Sequence, residues 1–171
     1  MSGRPVQPGN SSEVSATSPP PLVSVVVVAD LRTQFVRDAV DSVLSQTLPR
    51  ESVELILVAR FKDEILDTHF RSCGAYVIHV EDVALGPKLA AGLSHSKGTI
   101  VAFLEDDDIF EPDKLAAIVE HFRKNPKLIL VKNAFTLFDE HPVAHPSSRR
   151  TCSRSETWPI LTPGLPTSQK R

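Results

Sequence analysis

The sequence predicts an α/β fold, a mostly parallel, doubly wound sheet with helices on both faces. Three observations predict it. Short β-branched apolar runs alternate with segments whose apolar residues recur at helical spacing. The apolar runs show almost no polar alternation, as expected of strands covered on both sides. Only four of the 14 prolines fall within residues 22–141, so that stretch alone is free to form regular structure.

Leu22 to Val28 is nearly all valine and reads as a central strand. Phe35, Val36, Ala39, Val40, Val43 and Leu44 then fall on one helical face, with Thr33 placed to cap the start and Pro49 beyond the end. Val53 to Val58 is a second strand and Asp63 to Ser72 a second helix. Ala75 to Val80 follows Gly74 as a third strand. Gly86 to Ser96 is expected to be helical with Leu89, Ala90 and Leu93 inward, and Ile100 to Leu104 is a fourth strand. Pro112 opens a helix at its first turn, where a missing N–H costs little, and Asn125-Pro126 stops it. Leu128 to Val131 is expected to be a further strand, continuing into Ala134 to Phe138.

Composition sets the boundaries. Of 171 residues, 41% are hydrophobic and 23% charged, which suits one ordinary domain. Residues 1–21 hold five prolines and six serines or threonines and are expected to be a disordered leader; residues 142–171 hold five more prolines and are expected to be a disordered basic tail. The 22–141 unit carries a net −6 and the tail +4. An overall charge of −2 excludes a general nucleic-acid binder. No apolar run approaches the roughly 20 residues of a membrane span, and no signal-like start appears. With two cysteines and no disulfide framework, the expected compartment is the cytoplasm.

Ligands of doubly wound sheets collect at the carboxyl ends of the strands. Directly after the fourth strand stand Glu105, Asp106, Asp107 and Asp108. Like charges that close disfavour one another unless a cation joins them. A hard ion such as Mg²⁺ or Mn²⁺ takes one or two carboxylates and completes its sphere with water and phosphate oxygens, so the run points to a metal–diphosphate site. The plainer reading is an acidic turn that caps the following helix. Glu111 and Asp113 alone would serve that end. No G-x-G-x-x-G, G-x-x-x-x-G-K-[ST] or G-x-S-x-G element occurs, and the six histidines lack zinc spacing.

These residues resemble a known family, the family 2 glycosyltransferases of GT-A type, whose nucleotide-binding sheet is Rossmann-like. The first strand and its turn, Val23 to Asp30, match its start. Ala39-Val40-Asp41-Ser42-Val43-Leu44-Ser45-Gln46-Thr47 resembles its first helix, which ends in S-(V/I)-L-x-Q-T. Gly86 to Gly98 is similar to its glycine- and alanine-spaced helix, and Ile100 to Lys114 to the block containing L-D-x-D-D. The resemblance covers 22–138.

It implies a transferase that moves a sugar from a nucleotide-diphosphate-sugar donor to an acceptor hydroxyl on a glycan, lipid or small molecule, with inversion and a divalent metal, Mn²⁺ or Mg²⁺. Asp107 falls on the second acid of the D-x-D element and would ligate the metal. Glu105 takes the first acidic position, Asp106 stands beside it to face the metal's waters or the ribose, and Asp108 assists. Ala29, Asp30 and Leu31 would line the nucleobase pocket. Lys88 would neutralise phosphate charge, or else face solvent on its helix. Ser42 and Gln46 read as packing residues rather than ligands.

Two departures stand out. Where the family carries aspartates after the second strand, this chain has Ala59-Arg60-Phe61-Lys62, leaving Phe61 or Asp63 as substitutes at the base. After Phe138 the only acids are Asp139, Glu140 and Glu156, so no general base is assigned. The chain is therefore expected to be a donor half with a truncated or unrelated end, weak or inactive by itself. The rival readings are a non-catalytic nucleotide- or partner-binding module, and a receiver-type domain phosphorylated at Asp30.

Overall fold

A computed structural model of the chain describes residues 19–133. Its elements run β1 (Val23–Ala29), α1 (Val36–Leu44), β2 (Val53–Ala59), α2 (Glu64–Ser72), β3 (Ala75–His79), α3 (Leu85–His95), β4 (Ile100–Glu105) and α4 (Lys114–Lys124). The four strands form one parallel sheet in the order β3-β2-β1-β4. The predicted fold class holds, with helices on both faces.

All seven residues of β1 are buried, because β1 is central and covered on each side. One face presents Val23, Val25, Val27, Leu55, Leu57, Ala102 and Leu104 to α1, α2 and α4. The other presents Val26, Val28, Ile56 and Val58 to α3. Ser24, the polar interruption in the valine run, is fully buried and satisfied. Its hydroxyl donates to Glu54 (2.5 Å) and accepts from the Gly98 N–H (2.8 Å), anchoring the turn before β4. At the far edge, His79 bonds Asp67 (2.6 Å) and sits against the Phe61 carbonyl (3.0 Å), tying β3 to α2.

Several expectations are corrected. Thr33 does not cap α1. Residues 31–35 form turns, with the Phe35 N–H on the Arg32 carbonyl, so the helix starts at Val36. Pro112 stands before α4 rather than in its first turn, since its carbonyl accepts the Thr47 N–H and Gln46 caps the helix from outside by accepting the Leu115 N–H (2.8 Å). Leu128 to Val131 forms no strand; no neighbour among the described residues pairs with it, and Ile129 and Leu130 lie exposed. The proposed continuation over 134–138, the tail over 142–171 and all but residues 19–21 of the leader lie outside the described residues.

The inner face of α3 is also different. Lys88 and Gly92 are buried and Leu89 is half-buried, whereas Ala90 and Leu93 are exposed. A Cβ on Gly92 would lie 2.2 Å from Val26 Cγ1. The helix backbone rests directly on β1, a distance at which only glycine fits.

Candidate functional site

The register aligns the strand ends. Ala29 of β1 is level with Ala59 of β2, and Val28 is level with Glu105 of β4. The residues that follow, Asp30, Arg60 and Asp106, therefore emerge side by side at the carboxyl edge. Six charged side chains meet there, drawn from three strand ends, the β1–α1 turn and α3.

Asp106 is buried. One of its oxygens accepts the backbone N–H of Asp30 and the other a guanidinium N–H of Arg32, each at 3.1 Å. It thus ties the end of β4 to the end of β1. Arg32 spans onward to Asp107 at 2.8 Å. Its guanidinium is held above the usual arginine range, first by the bond to Asp107 and then by the negative field of Asp106. Asp30 accepts from Arg60 and, at 3.1 Å, from the buried ammonium of Lys88. Three carboxylates are thereby matched by three cations. Glu105 and Asp108 have no ion-pair partner among the described residues. Burial, and then the nearby charges of Asp107 and Asp106, push the Asp108 carboxyl up.

The Asp30 carboxyl falls from 3.8 to about 2, chiefly through the hydrogen bond from Arg60 and then that from Lys88, against an opposing effect of burial. A depressed carboxyl stabilises the fold above its unfolded value and stops doing so as pH falls through its folded one. The Asp30 contribution is therefore complete above about pH 4 and lost towards pH 2. Asp30→Asn is expected to flatten that part of the curve of urea midpoint against pH. An unchanged acid limb would show that these ion pairs do not form in solution.

The segment after the acidic run is clamped by α1. Ser42 accepts the Phe110 N–H (3.0 Å), and Gln46 donates to the Glu111 carbonyl (2.8 Å) while its oxygen caps Leu115. Both residues brace the backbone next to the acids, which is the physical use of the S-V-L-S-Q-T sequence here. The remaining candidates are placed as follows. The Ala29 side chain lies in the core, Leu31 is exposed, and Glu105 points outward. Phe61 is buried in the core, and Asp63 caps α2 by accepting from Ile65 and Leu66. Lys88 is buried against Asp30 rather than facing solvent. Arg32 went unseen in the sequence, where a single basic residue in a turn carries no periodic signal.

No three carboxylate, histidine or cysteine side chains converge into a metal cage among the described residues. The donor set still fits a hard divalent ion bound in the open way such ions adopt beside phosphate, through one or two carboxylates. Asp106 has both oxygens engaged within the fold, whereas Asp107 is partly exposed and, among the described residues, bonded only to Arg32.

Residues 24–167 match the family model described as glycosyl transferase family 2. The chain belongs to that family. Family membership sets the receiver-type reading aside. Similar curated proteins include an uncharacterized glycosyltransferase of Rickettsia prowazekii, 27% identical over 123 residues, which cover 70% of this chain and 38% of that protein. Another is the glucosyl-dolichyl phosphate glucuronosyltransferase of Haloferax volcanii, 31% identical over 64% of this chain and 36% of the relative. The chain thus spans less than two-fifths of the length of either relative. Among solved structures, S. aureus TarS 1–349 in complex with UDP superposes with a TM-score of 0.55 at 18% identity, over 61% of this chain and 32% of that one. A mannosyltransferase from Pyrobaculum calidifontis, in complex with GDP-Man and Mn²⁺, superposes at 0.53 and 21% identity over 60% and 32%. At these identities the superpositions establish the shared GT-A type fold. No helix among the described residues is long and apolar enough to cross a membrane.

Proposed function

We propose that this family 2 chain binds a nucleotide-diphosphate-sugar at the edge formed by Asp30, Arg32, Arg60, Lys88, Asp106 and Asp107, and serves sugar transfer to an acceptor hydroxyl with inversion. The observation that carries the reading is the meeting of buried Asp106, partly exposed Asp107 and three cations beyond the carboxyl ends of β1, β2 and β4. That is where a doubly wound sheet receives phosphates. The solved structures of similar fold hold UDP, UDP-GlcNAc, or GDP-Man with Mn²⁺, nucleotide ligands of the same chemical class.

In this reading Asp107 is the outward carboxylate that holds Mn²⁺ or Mg²⁺, with Glu105 beside it. Asp106 acts from behind by fixing the turn. The bound ion supplies neutralising charge to the departing nucleoside diphosphate. Lys88 and Arg60 hold Asp30 and place positive charge beside the phosphates. Arg60 follows Ala59, where the family carries aspartates, so the base is recognised differently from the family's usual uracil contact. The exposed Leu31 and the backbone of Asp30 remain to line that pocket. The acceptor's proton requires a carboxylate within hydrogen-bond reach. Asp139, Glu140 and Glu156 lie outside the described residues.

Calorimetry with a panel of nucleoside diphosphates, with and without Mn²⁺, tests the reading on wild type and Asp107→Ala. The variant is expected to fold normally and to lose the Mn²⁺-dependent part of binding, about tenfold or more in affinity. Equal metal-dependent binding by both proteins would remove Asp107 from the site. Binding without any sugar release would favour a nucleotide-binding module over a transferase.

A further inference from the structure

Resting on that reading of Asp107, we infer that Arg32 is an exchangeable internal counter-cation, occupying the Asp106–Asp107 pair until a divalent ion displaces it from Asp107.

The three cations of the site differ in one respect that decides their roles. The Lys88 side chain is 5% exposed and that of Arg60 23%, so both are packed into the fold around Asp30. Arg32 is 51% exposed, and it is the one that reaches the outward carboxylate. It rises from the turns between β1 and α1, held by no helix or strand, on a long side chain with free rotation into solvent. It can leave without opening a cavity. Asp106 keeps the Asp30 N–H when Arg32 departs, so the link between β1 and β4 survives the exchange.

Electrostatics makes the two occupants exclusive. A guanidinium 2.8 Å from an Asp107 oxygen stands within a few ångströms of any ion on that carboxylate, and a single and a double positive charge repel at that range. Without a metal, Arg32 relieves the crowding of Asp106 and Asp107 and keeps the turn folded. With one, its hold on Asp107 is the competing bond that must break. The arrangement lowers intrinsic metal affinity while it preserves the shape of the site.

The test uses the full chain and MnCl₂ alone, with no nucleotide, read by calorimetry and by the Mn²⁺ electron paramagnetic resonance signal. Arg32→Gln is expected to bind Mn²⁺ about two- to fivefold tighter than wild type, as removal of a half-exposed competing ion pair allows. Arg32→Lys, which keeps the charge but not the fork that bridges both carboxylates, is expected to fall between wild type and Arg32→Gln. Arg32→Ser serves as a second neutral variant should the glutamine fold poorly. Equal or weaker Mn²⁺ binding by the neutral variants, with binding still lost in Asp107→Ala, overturns the exchange and leaves the metal reading standing. Absence of Mn²⁺ binding from every protein, wild type included, overturns both.

Discussion

Gly92→Leu is expected to abolish cooperative folding, and Gly92→Ala to lower stability by about 1–3 kcal/mol, the usual range for overpacking a filled core. The reason is local and geometric. The nearest atom to an added Cβ is Val26 Cγ1 at 2.2 Å, with Val26 Cγ2 and Cβ at 3.1 and 3.2 Å. Val26 is fully buried in the central strand, so it cannot turn aside. Relief must come from lifting α3 off the sheet, which would also carry Lys88, one turn earlier, away from Asp30. Gly86, on the same helix, has nothing within 4 Å of its would-be Cβ. Gly86→Ala is expected to leave stability unchanged or to raise it by less than about 1 kcal/mol. Urea denaturation of both variants checks the contrast, and similar midpoints would mean that α3 does not pack at this distance.

Asp106→Ala is expected to damage both stability and ligand binding, whereas Asp107→Ala harms only the second. Removing the Asp106 carboxylate strips acceptors from the Asp30 N–H and from Arg32 in a buried setting. Losing charge-assisted bonds of this kind costs about 2–3 kcal/mol. Metal-dependent nucleotide binding is expected to disappear as well, because the turn that presents Asp107 is no longer tied to the end of β1. Asp106→Asn keeps one oxygen for the Asp30 N–H and is expected to recover more than half of the lost stability. Denaturation curves and calorimetry on the three variants separate the roles. A fully stable Asp106→Ala would place its carboxylate in solvent and undo the division of labour between the adjacent aspartates.

Much of the fold was legible because periodicity reports burial. The valines of β1 could only be a central strand, and Phe35 to Leu44 only a helix on one face of the sheet. Legibility failed where a non-local partner decided the outcome. Ala90 and Leu93 are apolar yet exposed on α3, whereas Leu89 packs partly against the core beside Lys88 and Gly92, one drawn by Asp30 and the other required by Val26. Leu128 to Val131 has strand composition, but a strand needs a neighbour, and the described sheet supplies none. Helix starts failed for the same reason, since Gln46 of the α1 segment caps α4 from across the fold.

The candidate site divides likewise. Sequence alone determined the α/β class and singled out the carboxyl edge and its acidic run as the candidate site, because these follow from hydrophobic pattern and from charges crowded at one point of the chain. Tertiary structure decided which acid is which. Asp106 turns inward because the Asp30 N–H, 76 residues away in the chain, needs an acceptor. Asp107 stays at the surface with Arg32, and Asp30 is taken up by Arg60 and Lys88. A side chain's role depends on partners that approach through space, and spacing along the chain does not encode their arrival.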